Sequence, residues 1–184
     1  MSKNVFANVL KRTWKPFASP KAVALLCILV MWVMGAKAQQ TPYVIWCEDN
    51  GTLYFTNSTK TNAQGGTYDG QTITGVWSGD AVTNSEDQPD WSYTVNEEGC
   101  TSLVFDESFK SVKPKCLSKW FFRYKNLTSI TGIENLNTSE TTNMTSMFFL
   151  CESLTTLDLR TFDVSKVEKA PAMFYGCKEL KTIY

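Results

Sequence analysis

The side chains able to do chemistry in this sequence are carboxylates, thiols and thioethers, and the missing types narrow the field first. The 184 residues contain no histidine, which excludes Ser-His-Asp and Cys-His catalysis and every histidine-bearing metal site. No Cys-x-x-Cys pair occurs, and the carboxylates do not follow the Asp-x-Asp-x-Asp-Gly spacing of a calcium loop. Asp158 and Asp163 fall near one strand and its exit, so an acid/base pair of the glycosidase kind can be imagined. Nothing nearby raises the pKa of one and not the other, so they read as solvated surface charges. Met144, Met147 and Met173 have the type of soft metal ligands, but their recurrence at the spacing of an internal repeat makes them core fillers. The expectation is a protein that is not an enzyme and holds no cofactor or metal.

Charge and the N-terminal segment indicate where such a chain works. The net charge of zero hides an asymmetry: residues 1–38 carry six Lys/Arg and no acid. Of the 18 basic residues, 12 then remain against 18 acidic ones, a net charge of −6. Such a surface repels phosphate, and no basic patch interleaved with aromatics offsets it, so nucleic acid is not an expected partner. Basic residues 1–21 lead into a 13-residue apolar run from Ala22 to Met34, followed by Gly35-Ala36-Lys37-Ala38. A charged start, a short apolar run and an Ala-x-Ala site describe a secretory signal peptide cut after Ala38. The alternative is an uncleaved anchor, but 13 apolar residues are short for a bilayer that usually takes about 20. Cys27 follows the bulky Leu26 inside the apolar run, unlike a lipid-modified cysteine. The membrane is thus expected as a partner only before cleavage, and the mature protein is expected to be secreted or at the cell surface.

From Tyr43 to about Phe105 the texture is β. Tyr43-Val44-Ile45-Trp46-Cys47 and Thr52-Leu53-Tyr54-Phe55-Thr56 flank Asn50-Gly51, a strong hairpin signal. Further strands are expected over 72–77, 91–95 and 102–105, with Gly-, Asn- and Pro-rich loops between them. Trp46, Trp77 and Trp91 could form an aromatic platform for a polysaccharide; the favoured assignment is the core of a small sheet.

The rest of the chain repeats. Met147-Phe148-Phe149-Leu150-Cys151 returns 26 residues later as Met173-Phe174-Tyr175-Gly176-Cys177, and Trp120-Phe121-Phe122-Arg123-Tyr124 precedes it by 27. Such a period marks stacked units that bury their apolar faces on one another. Leu154-x-x-Leu157-x-Leu159-x-x-Phe162-x-Val164 has leucine-rich-repeat spacing with Phe in the Asn place. In that arrangement Leu157 and Leu159 point inward from a strand, and Thr156, Asp158 and Arg160 point outward. The apolar spacing of Met144, Met147, Phe148 and Cys151 predicts one or two helical turns opposite.

The phrases Val104-Phe105-Asp106-Glu107-Ser108-Phe109, Leu127-Thr128-Ser129-Ile130-Thr131-Gly132-Ile133 and Asn143-Met144-Thr145-Ser146-Met147-Phe148 resemble the BspA-like leucine-rich-repeat surface proteins of bacteria. The resemblance covers residues 100–184 strongly and the strand-rich part more loosely. It implies an extracellular, non-catalytic protein that adheres to host proteins or other cells, and it brings no catalytic residues with it.

The expected fold class is therefore α+β, mostly β: a leucine-rich-repeat-like solenoid of about three coils preceded by a small β-sheet cap. The expected domains are 1–38 signal peptide, 39–110 β-rich cap and 111–184 repeats, with the repeats truncated at Tyr184. Thr128, Thr131, Thr156, Asp158 and Arg160 form the candidate binding face, and extracellular or host proteins are the expected partners. Five Asn-x-Ser/Thr sequons, at Asn50, Asn57, Asn126, Asn137 and Asn143, are by-products of Asn/Thr-rich loops in a bacterial chain. After signal removal five cysteines remain, so at least one cannot pair within the chain. Cys151 and Cys177 share one column, and stacked strands at about 4.7–4.9 Å would permit a bridge. Tyr124 fills the same column one repeat earlier, as a packing position would, and the expectation is two buried thiols.

Overall fold

In the computed structural model, which describes residues 40–59, 62–84 and 88–184, the longest strands are β1 (Thr41–Cys47) and β2 (Thr52–Ser58). The expected signal peptide, Cys27 and the Ala38 site lie outside these residues. β1 and β2 pair antiparallel, with Thr41 opposite Ser58 and Cys47 opposite Thr52. The Asn50-Gly51 turn forms through a 3-10 helix (Glu48–Asn50) that ends on Gly51 at φ 62°. A Cβ there would collide with the carbonyl of Gly99, so glycine serves both the left-handed backbone and the close approach.

β1 and β2 read as nearly unbroken apolar runs because both faces of the sheet are covered. Val44, Trp46, Leu53 and Phe55 face the main core, and Tyr43, Ile45, Cys47 and Tyr54 face a smaller cluster with Ile73 on the other side. β3 (Thr67–Tyr68) and β4 (Gln71–Thr72) form a short hairpin, and Tyr68 packs against that smaller cluster. β5 (Gly75–Ser78) joins β1 antiparallel. β6 (Ser102–Phe105) joins β2 in parallel and carries β7 (Ser129–Thr131), also parallel. The result is a mixed five-stranded sheet in the order β5-β1-β2-β6-β7.

Two short helices follow β5: α1 (Asp80–Thr83) and α2 (Trp91–Thr94). α2 replaces the strand expected over 91–95. Trp91 and Val95, four residues apart, are both buried, while Tyr93 between them is 69% exposed; that spacing is helical, although the residue types alternate as in a strand. Trp91 packs edge-on against Phe55 and Trp120, at 6.4 and 5.2 Å between ring centroids. Trp46 and Trp91 are buried and Trp77 is half-buried with its ring tilted 60° from that of Trp91, so the three indoles make no open platform. Between the strand-rich part and the repeats, Asp106 accepts the Ser108 N–H (2.9 Å) and starts a 3-10 helix (Glu107–Ser111) whose Phe109 is fully buried.

The expected leucine-rich-repeat-like solenoid does not form. Its first strand, β7, belongs to the mixed sheet, whereas the next two, β8 (Thr156–Leu157) and β9 (Thr182–Ile183), form a separate parallel pair. No closed coil with one continuous sheet results, and the described chain is mostly β with few helices. The local cause is visible at Gly132, where φ is 71° and the chain turns into a 3-10 helix (Ile133–Asn135). Asn135 donates to the Phe105 carbonyl at 2.9 Å from a buried position. Twenty-seven residues on, Leu159 and Phe162 stand in those two places: the Phe162 N–H still bonds the Leu159 carbonyl at 2.9 Å, but the left-handed φ and the side-chain bond to the neighbouring segment are lost. The helical turns expected over 144–151 are also absent. The backbone there forms turns interrupted by positive φ at Ser146 (54°) and Leu150 (56°), which no right-handed helix tolerates.

Candidate functional site

What joins the repeated segments is a backbone ladder running through these turns. The N–H groups of Leu117, Lys119, Phe121 and Arg123 donate to the carbonyls of Asn143, Thr145, Met147 and Phe149 at 2.7–3.0 Å. The N–H groups of Met144, Ser146, Phe148 and Leu150 then donate to Lys169, Pro171, Met173 and Tyr175 at 2.7–2.9 Å. Positive φ recurs in two columns, Lys119/Ser146/Ala172 and Arg123/Leu150/Gly176. A left-handed residue at every fourth position keeps alternate N–H groups aimed at the following segment. Side chains follow the same columns: Phe122, Phe149 and Tyr175 stack with centroids 5.0 and 5.1 Å apart.

The two ends of this ladder differ. At the start, the Trp91 indole N–H donates to the Trp120 carbonyl at 3.1 Å, the place that matches the Met147 carbonyl one segment later. At the far end, no acceptor among the described residues faces the N–H groups of Ala170, Ala172, Phe174 and Gly176. Apolar exposure is concentrated there as well. Val164, Tyr175, Ile183 and Tyr184 are 62%, 65%, 49% and 60% exposed. Beside them Leu159, Phe162, Val167, Met173 and Phe174 line an open apolar cleft of about 550 Å³.

Of the five candidate binding residues, the structure gathers three near this end. Thr156 is exposed on β8 opposite Thr182, and Asp158 and Arg160 follow directly. Arg160 binds Asp158 through two nitrogens, Nη2 at 2.6 Å and Nε at 3.0 Å, and its guanidinium lies 5.5 Å from the Tyr184 ring centre. That hydrogen bonding from the side chain and backbone of Arg160 holds the Asp158 carboxyl down at about 2. Asp158 and Arg160 are thus partnered with each other and form a fixed rim beside Tyr184. Thr128 and Thr131 are exposed as well, but they flank or end β7 in the other sheet and do not join this cluster. Asp163 is engaged locally: its N–H bonds Thr138 Oγ1 (2.7 Å) and its carboxylate accepts the Ser165 N–H.

Cys151 and Cys177 are thiols. Each donates to a carbonyl of the preceding segment, Cys151 to Phe121 (3.1 Å) and Cys177 to Phe148 (3.0 Å). Cys151 is buried as expected, whereas Cys177, at the open end, is only half-buried. Among the described residues no group of three His, Cys, Asp or Glu side chains could hold a metal ion, and no helix is long and apolar enough to cross a membrane.

The sequence reading missed the open N–H row and placed the binding face only on outward strand positions. A backbone donor has no residue letter of its own; the apolar cluster of Val164, Tyr175, Ile183 and Tyr184 was the available signal.

Residues 104–183 match the family described as Mycoplasma protein of unknown function, DUF285. The match runs from β6 to β9 and so takes in all three repeated segments and the open end. No curated protein and no solved structure matches the chain.

Proposed function

We propose that this is an exported, non-catalytic cell-surface protein that binds other proteins at the open end of its repeated segments. The observation that carries this reading is the coincidence, in residues 159–184, of exposed large apolar side chains and a row of backbone donors with no acceptor among the described residues. Contiguous apolar exposure of this kind marks interaction surfaces in soluble proteins. Export rests on the signal-like residues 1–38. A place in the BspA-like surface family, with adhesion as its role, rests on the phrases 104–109, 127–133 and 143–148, all of which lie within the residues matched by the family above. The partners proposed are extracellular or host proteins.

Immobilised chain, probed with a panel of purified extracellular matrix and cell-surface proteins, tests the reading. The expected result is saturable capture that Tyr175→Ser weakens by about tenfold, the scale of a moderate interface anchor, with an unchanged circular dichroism spectrum. Capture of no panel member, or capture indifferent to Tyr175, contradicts it.

A further inference from the structure

One face of the mixed sheet turns away from the main core. Tyr54, Val104 and Thr131 lie side by side on it across β2, β6 and β7. The β3–β4 hairpin packs beside this row, with the Tyr68 and Tyr54 ring centroids 5.1 Å apart. Tyr54, Tyr68, Asp69, Val104 and Asp106 together line an open cleft of about 290 Å³, close to the lower end of the roughly 300–1,000 Å³ of small-molecule pockets.

Two exposed carboxylates flank the rings, and the backbone fixes both. Asp69 and Gly70, at φ 51° and 76°, are the two central residues of the hairpin turn, the left-handed pair that a tight hairpin requires. Asp106 donates its N–H to the Phe55 carbonyl at 2.8 Å and accepts the Ser108 N–H through Oδ1 at 2.9 Å. The Tyr54 hydroxyl reaches Asp69 Oδ2 only at 3.4 Å, so both carboxylates keep oxygens open to a ligand. No basic side chain among the described residues lines the cleft, and Lys110, four residues beyond Asp106, pairs with Glu107 at 3.6 Å. The negative potential converges on one ring: burial first, and the Asp106 and Asp69 charges after it, raise the Tyr68 phenol against a hydrogen bond with Thr56 that lowers it.

Tyrosine rings between two uncompensated carboxylates favour a cation, and the rest of the cleft selects which kind. Calcium takes about six to eight oxygen ligands, and no group of three His, Cys, Asp or Glu side chains among the described residues could hold a metal. A pyranose stacks on an open ring face, whereas Tyr54 is 6% exposed and Tyr68 is half-buried against it. A guanidinium is flat, weakly hydrated and carries a fork of donors, so it fits between one ring and a carboxylate. The chain holds its own example: Arg160 binds Asp158 through two nitrogens and lies 5.5 Å from the Tyr184 ring centre.

We propose that this cleft binds a guanidinium group, its N–H donors shared between Asp69 and Asp106 and its plane against Tyr68. The site is separate from the open end of the repeated segments and does not depend on binding there. An arginine side chain of a polypeptide and a small free guanidine offer the same chemistry, and a polypeptide would run on over Val104 and Thr131.

The test is an NMR titration of the full chain, labelled in its tyrosine rings, at constant ionic strength. The probes are ethylguanidine, the capped tripeptide Gly-Arg-Gly, and the same tripeptide with uncharged citrulline in place of arginine. The expected result is a saturable shift of the Tyr68 and Tyr54 ring signals with both guanidinium probes and none with citrulline. Tighter binding of the tripeptide than of ethylguanidine assigns the site to a polypeptide arginine, and equal binding assigns it to a small guanidine. Asp69→Asn and Asp106→Asn should each weaken binding by about threefold, the scale of one exposed charge pair; asparagine keeps both the left-handed turn and the cap. No shift, equal shifts with citrulline, unchanged affinity in both variants, or ring shifts from a neutral oligosaccharide with none from the guanidinium probes overturns the proposal. If a variant unfolds, the comparison of arginine with citrulline on the unaltered chain decides.

Discussion

Trp91 and Trp120 are both fully buried, yet only Trp91 has an acceptor for its indole N–H. Trp91→Phe removes ring volume and also leaves the Trp120 carbonyl unpaired, while Trp120→Phe removes ring volume and an N–H that has no partner. Leaving a buried polar group unsatisfied costs about 1–3 kcal/mol. Urea unfolding should therefore show Trp91→Phe to be the more destabilising by about that amount; equal losses would mean that the indole bond caps nothing. The pair Asp158 and Arg160 gives a pH test. A carboxyl held at about 2 in the fold, below its ordinary 3.8, contributes stability above the ordinary value and loses it as pH falls through the lower one. An NMR titration should find the Asp158 midpoint near 2, and Arg160→Ala should return it toward 3.8. A midpoint unmoved by that substitution would show that the bidentate contact does not persist in solution. Thiol reactivity follows position in the ladder. Burial first, and neighbouring thiols second, push Cys151 well above its ordinary value, whereas burial alone raises the half-buried Cys177. Iodoacetamide should label Cys177 before Cys151.

The elements are short, so single backbone positions decide how they join. Gly132 sits at φ 71°, and a Cβ there would meet the Phe105 carbonyl that Asn135 also binds. Gly132→Ala should therefore cost about 2 kcal/mol or more, the strain of a left-handed residue plus the displaced bond. A thermal midpoint within a degree of the parent would show that the turn can relax. Much of the element order was legible: the Asn50-Gly51 hairpin, the strand at 102–105 and the columns of the repeat all follow from spacing. Residues 91–95 misled because Trp, Tyr and Val alternate as strand formers, while burial picks out Trp91, Ser92 and Val95, one face of a helical turn, and leaves Tyr93 exposed. Residues 144–151 misled because helical apolar spacing also suits a turn-rich segment whose N–H groups leave for the next segment. The left-handed positions Lys119, Ser146 and Leu150 carry no glycine to announce them; only Gly176 does. Thr156 is exposed on β8 as alternation suggests, but β8 ends at Leu157, so Asp158 and Arg160 lie beyond the strand and are placed by their own pairing. That Thr128 and Thr131 stand in a different sheet was not readable, because pairing β7 with β6 depends on residues far upstream.

At the scale of the whole described body, one continuous core runs from Val44 in β1 to Leu157 in β8 and thins toward the last segment, where Met173, Phe174 and Leu180 are only partly buried. The strand-rich part closes the ladder at Trp91, and nothing among the described residues closes it at Ala170, Ala172, Phe174 and Gly176. Residue-resolved amide exchange on the free chain measures that difference, since donors held in internal bonds exchange only on opening while unpaired ones exchange with water directly. The account predicts strong protection at Met144, Ser146, Phe148 and Leu150 and near-unprotected exchange at Ala170, Ala172, Phe174 and Gly176. Equal protection of the two rows would contradict it.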